Sequence, residues 1–166
     1  VTITNTGELT TTGDFSAGIL AYTLAVGSGD VTVTNDADIT TSGAYSYGIY
    51  AVANYGVASV DSFSVYTDGY ASIGIAAVGF DGAYVESTFV NTEGDYADGI
   101  VAVSTGGSLA SVDSYSVRTY GDYADGIVAI GQGYYDSFAA TAYAGSVYVD
   151  STYVTTSGYN AYGIVA

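Results

Sequence analysis

Six copies of one short motif, Gly-Ile-x-Ala, run through this chain, at Gly18, Gly48, Gly74, Gly99, Gly126 and Gly163. Other positions keep fixed distances from them. Five residues before each motif glycine stands another glycine: Gly13, Gly43, Gly69, Gly94, Gly121 and Gly158. Seven before stands a threonine: Thr11, Thr41, Thr67, Thr92, Thr119 and Thr156. Nine before stands an aliphatic residue: Leu9, Ile39, Val65, Val90, Val117 and Val154. One structural unit is therefore laid down six times, and stability adds up from units and their neighbour contacts.

The motif glycines are 30, 26, 25, 27 and 37 residues apart (48−18, 74−48, 99−74, 126−99, 163−126). Such intervals are too short for a strand, a crossover helix, a second strand and their turns, and no helical period runs through them. Apolar and polar residues alternate instead, as in Val1-Thr2-Ile3-Thr4-Asn5 and Val31-Thr32-Val33-Thr34-Asn35. That alternation marks a strand with one buried face. A second short strand is expected over 8–12, 38–42, 64–67, 89–92, 116–119 and 153–156, and a third in each Gly-Ile-x-Ala segment. The fold expected is all-β: a parallel β-solenoid, a right-handed β-helix of about six coils with three short strands per coil. Residues 1–166 form a single array, read as a portion of a longer chain or filament. Stacking at about 4.8 Å per coil turns equivalent residues into ladders. Ile19, Ile49, Ile75, Ile100, Ile127 and Ile164 should point inward beside an alanine ladder, and the threonines share their parity with the aliphatic positions. The internal glycines are expected to take positive φ at the corners. Asn5 and Asn35 are expected to align with Asp61, Glu86, Asp113 and Asp150.

Charge narrows the functions open to such a chain. Lys+Arg is 1 against Asp+Glu 17, a formal net charge of −16. Nucleic acid and anionic membrane surfaces need a basic patch, so neither is expected as a partner. No apolar run is long enough to span a bilayer, so no direct membrane insertion is expected. Cys and His are both 0, which removes disulfides and thiol sites and leaves serine without its usual base. No enzyme activity is expected.

Residues 31–51 read Val-Thr-Val-Thr-Asn-Asp-Ala-Asp-Ile-Thr-Thr-Ser-Gly-Ala-Tyr-Ser-Tyr-Gly-Ile-Tyr-Ala. This resembles the repeats of autotransporter (type V secretion) passenger regions of Gram-negative bacteria, V-x-V-x-N-x-G-x-I-x-T-x-G-x-x-A/S-x-G-I-x-A. Residues 1–21 match equally well, and the later coils match mainly from the threonine onward. The resemblance implies a β-solenoid exported to the bacterial cell surface, outside the cell. It implies no single activity, since such passengers include adhesins, biofilm components and enzymes. The chain departs from the family in lacking an outer-membrane barrel and in its 19 tyrosines. The role expected is structural, an extracellular filament or cell-surface adhesin stalk for adhesion or biofilm matrix.

Three constellations are candidate sites. Gly94-Asp95-Tyr96-Ala97-Asp98-Gly99 recurs as Gly121-Asp122-Tyr123-Ala124-Asp125-Gly126, which stacks Asp95 on Asp122 and Asp98 on Asp125. Like charges facing each other persist if solvated, partly protonated or bridged by a cation, and an oxygen-rich site suits Ca²⁺. Both the solvated and the Ca²⁺-bridged readings stay open. Aromatic residues supply the second constellation: Phe15, Tyr45, Tyr96 and Tyr123 share one repeat position. Their ladder is structural, or, with the long loop 131–145, a platform for surface glycans. The third is the outward side of the Gly-Ile-x-Ala strand: Leu20, Tyr22, Tyr50, Val52, Ala76, Val78, Val101, Val103, Val128, Ile130 and Val165. A stripe apolar on its outer face predicts lateral packing against a second solenoid. The open edges of the end coils predict axial growth, either by further coils of the same polypeptide or by another copy.

Overall fold

The computed structural model describes residues 1–24, 26–27, 29–136 and 141–166. The chain winds into a parallel β-solenoid whose coils each contribute a strand to two facing sheets. One sheet has the order β1-β4-β6-β8-β10-β14, from Thr2–Asn5 (β1), Val31–Thr41 (β4), Val57–Thr67 (β6), Gly82–Thr92 (β8), Leu109–Thr119 (β10) and Ser146–Thr156 (β14), with β2 (Leu9–Thr11) also on β4. The other sheet carries the motif strands in the order β15-β11-β9-β7-β5-β3. These are Ile19–Thr23 (β3), Ile49–Ala53 (β5), Ile75–Gly79 (β7), Ile100–Ser104 (β9), Ile127–Gly131 (β11) and Ile164–Val165 (β15). Its six strands make five parallel ladders, so the solenoid has about five turns where the motif count suggests six. No helix appears among the described residues. An antiparallel pair, β12 (Tyr134–Asp136) with β13 (Thr141–Tyr143), occupies the long excursion between β11 and β14.

Every ladder between motif strands is in the register that the repeat dictates, with Ile49 on Ile75, Ile75 on Ile100 and Ile100 on Ile127. Those four isoleucines are fully buried, as are Ala51, Ala77, Ala102 and Ala129 beside them. Ile164 and Ala166 are exposed, because no further strand lies over β15. Across the core the isoleucines and alanines meet Val33, Ile39, Val60, Val65, Val90, Val112 and Val117 of the long-strand sheet. The threonines do point inward, and each closes a corner: the Thr92 hydroxyl donates to the Ala97 carbonyl at 2.6 Å, and Thr41, Thr67 and Thr119 do the same five residues on.

Three expectations need correction. From the second coil onward the first two strands are one strand, 11 residues long, not two. The reason is a change of parity at a bend where one pairing step is skipped, with a register shift between β4 and β6, while the strand continues. In β6, Ser62 is buried, Phe63 and Ser64 both face outward, and Val65 is buried again, so the strand bends while keeping its neighbours. Only the first coil, interrupted at Gly7, keeps β1 and β2 separate.

The internal glycines do not hold positive φ. The residue three before each motif glycine does: Phe15, Tyr45, Ala71, Tyr96, Tyr123 and Asn160, with φ between 51 and 57°. Glycine is required for proximity instead. A Cβ at Gly94 would collide with the Gly69 carbonyl one coil away, and a Cβ at Gly99 with Val117 and the Gly126 carbonyl.

Lastly, Asn35 lies in register with Ser62, and Thr34 with Asp61. Asn5, Asn35, Ser62, Ser87, Ser114 and Ser151 thus form an inward polar ladder at the bend. The Asn5 amide donates to Asn35 Oδ1 at 2.7 Å, and the Asn35 amide donates to Ser62 Oγ at 3.1 Å. The two asparagines and Ser62 thus pair with one another, as do Ser114 and Ser151, while the buried Ser87 hydroxyl between them has no partner.

Candidate interaction surface

The two sheets turn chemically opposite faces outward. On the long-strand sheet, Asp61, Glu86, Asp113 and Asp150 follow one another in register and are all exposed. On the motif sheet, alternation sends the residues between the isoleucine and alanine ladders outward. Leu20 and Tyr22 are about half exposed, Ile130 and Val165 somewhat less. Tyr50, Val52, Val78, Val101, Val103 and Val128 are half-buried between their neighbours on adjacent coils. Ala76 departs from the stripe at 3% exposure, because the longer Tyr50 and Val101 stand on either side of it in register. From β3 to β11 the isoleucine and alanine positions are buried, at β15 both Ile164 and Val165 are exposed, and the outer face carries no charged residue along its whole height.

The acids clustered in the corner turns, Asp95, Asp98, Asp122 and Asp125, each accept a backbone amide of the next coil. Asp95 Oδ1 accepts the backbone N–H of Asp122 at 2.9 Å, and Asp98 Oδ1 accepts that of Asp125 at 2.8 Å. One coil further, Asp122 and Asp125 accept the N–H groups of Tyr159 and Tyr162. Each carboxylate therefore ties its own coil to the next through an otherwise unpaired amide. Burial pushes Asp98 up to about 6, the nearby Asp125 charge adds to that, and the Asp125 N–H donated to it pulls the other way. Among the described residues no group of three or more acids is arranged to hold a metal ion.

Two exposed aromatic ladders run along the solenoid, one over its whole length and one over its last four coils, and the repeat alignment catches only part of the first. Phe15, Tyr45, Tyr70, Tyr96, Tyr123 and Tyr159 follow one another with ring centroids 5.0–5.8 Å apart. Tyr70 and Tyr159 lie one residue earlier in the repeat than the other four, which is why motif counting misses them. The second ladder is Phe63, Phe89, Tyr115 and Tyr153, every step edge-to-face at 5.5–6.0 Å. It sits on the bend of the long strands, where two successive positions face outward. Coils with Ser-Phe-Ser or Ser-Tyr-Ser place the ring first, and coils with Ser-Thr-Phe or Ser-Thr-Tyr place it second. The signal was present as an aromatic residue one or two places before each valine. The loop 131–145 lies partly outside the described residues, and Tyr134 at its start packs on Phe80 at 5.4 Å.

Comparison with protein families, curated proteins and solved structures gives no match.

Proposed function

We propose that this solenoid is a structural, self-associating element of an exported bacterial surface protein, a filament or adhesin stalk, and that copies pack side by side through the outer face of the motif sheet. The observation that carries this reading is the uncharged apolar stripe on a chain of net charge −16. Two copies approaching through their long-strand sheets would bring one acidic ladder against another. Approach through the motif sheets opposes only aliphatic and tyrosine side chains, so repulsion is least there and burial gain greatest. Size sets the strength. Five inter-strand spacings of about 4.8 Å by five residues at about 3.3 Å give a face of roughly 24 by 16 Å. That is smaller than the ~800 Å² per partner of a standard stable interface, so a single pair associates weakly and longer stacks associate tightly.

Axial continuation belongs to the same proposal. The outermost strands, β1 and β14 on one sheet and β3 and β15 on the other, present unpaired backbone edges. Further coils of the same polypeptide, or of another copy, would satisfy them. Export and a place at the cell surface rest on the autotransporter resemblance of residues 1–51.

The test is Val101→Asp with Val128→Asp. Both side chains face outward and are only half-buried, so the fold should survive with an unchanged circular dichroism spectrum. Sedimentation velocity across a concentration series should show the wild type associating and the double variant staying monomeric. A folded variant that still associates to the same degree removes this face as the interface.

A further inference from the structure

A groove of about 430 Å³ lies on the opposite sheet from the apolar stripe, at the bend of β8, β10 and β14. Phe89, Tyr115 and Tyr153 line it, with Ser116 in its floor and Asn91 and Arg118 beside them. Two of its polar groups stand out. Arg118 is the one cationic side chain of the chain; it is exposed, and no acid among the described residues lies within salt-bridge distance of it. Asn91 Oδ1 is buried and has no hydrogen-bond partner. In register these two residues are directly opposite one another on β8 and β10. A buried acceptor without a donor is costly, and a fixed guanidinium fork has five donors to offer.

We infer that this groove binds a neutral oligosaccharide, with pyranose faces against the aromatic ladder and sugar hydroxyls on Arg118. The lining excludes the other ligand classes in turn. A wholly apolar ligand would bury the Arg118 charge without a partner. An anionic ligand would enter the field of a chain of net charge −16 with only one cation to meet it. A cation would be placed against Arg118. What remains is a ligand with an apolar face, many hydroxyls and no charge. Its hydroxyls accept from the exposed Arg118 guanidinium, while its C–H faces cover rings that are now 44–57% exposed. Because the rings continue from coil to coil, the groove is open along the solenoid axis and suits a chain of sugars rather than a single one.

The experiment titrates the whole protein with cellohexaose, xylohexaose and mannohexaose, following tyrosine fluorescence and confirming by calorimetry. At least one should bind saturably at millimolar concentration or below. Arg118→Gln and Tyr115→Ala should each weaken that binding about tenfold or more without changing the melting temperature by more than a few degrees. Tyr45→Ala, on the other aromatic ladder, should leave it unchanged. Val101→Asp with Val128→Asp should also leave it unchanged, which separates this site from the self-association face. Saturable binding by none of the three sugars overturns the inference, as does binding that survives both Arg118→Gln and Tyr115→Ala at full strength.

Discussion

Asp98 ties its coil to the next through one hydrogen bond. Its carboxylate is held by burial near pH 6 while it accepts the Asp125 N–H. Unfolded, the same group titrates near its ordinary value of 3.8. Between roughly pH 4 and 6 the folded chain therefore keeps a proton that the unfolded chain has released. Its contribution to stability is favourable below that window and declines as pH rises through it. Asp98→Asn keeps the accepting oxygen and removes the charge. The variant should melt higher than wild type at pH 7, and its melting temperature should depend less on pH between 4 and 6. A lower melting temperature at pH 7 would mean that the ionised form is the one the corner requires. Spacing in the sequence reveals which carboxylates stack, but not that each accepts an amide of the next coil.

The corner turn is the element that the repeat specified least well. Isoleucine, alanine and threonine ladders were legible because their side chains keep strict parity with the backbone. The corner breaks parity. Its left-handed residue is a tyrosine or phenylalanine in four coils, alanine in the third and asparagine in the sixth. Glycine was expected there on conformational grounds, yet the nearby glycines serve close approach between coils. The aromatic ring compensates for its strained backbone by packing on the rings above and below. Ala71 has no ring, and Tyr70 supplies the ladder contact in that coil, so Ala71 carries the strain without the contact. Ala71→Gly should relieve a left-handed penalty and stabilise the protein by about 1 kcal/mol. For a chain of this size that is a rise of about 2–4 °C in melting temperature. A fall would show that the alanine methyl packs usefully within the turn. The bent long strand was illegible for a related reason: the two successive outward residues at Phe63 and Ser64 look, in sequence, like the end of one strand and the start of another.

At the scale of the whole molecule, the solenoid separates its charge from its apolar surface. Acids occupy one sheet and the corners, and the other sheet presents an uncharged face six strands tall. That division was readable from strand parity once the motif glycines were aligned. The binding groove was not, because it depends on rings from coils whose aromatic residues fall out of repeat register, and on Arg118 standing beside them. Since the chain contains no cysteine, a single one can report which faces meet. Val101→Cys places it in the middle of the apolar face, and Glu86→Cys places it on the acidic ladder opposite. Under mild oxidation at tens of micromolar, Val101→Cys should form a disulfide-linked dimer much faster than Glu86→Cys. Equal rates, or faster linking through Glu86→Cys, would contradict the claim that copies of this solenoid meet through the motif sheet.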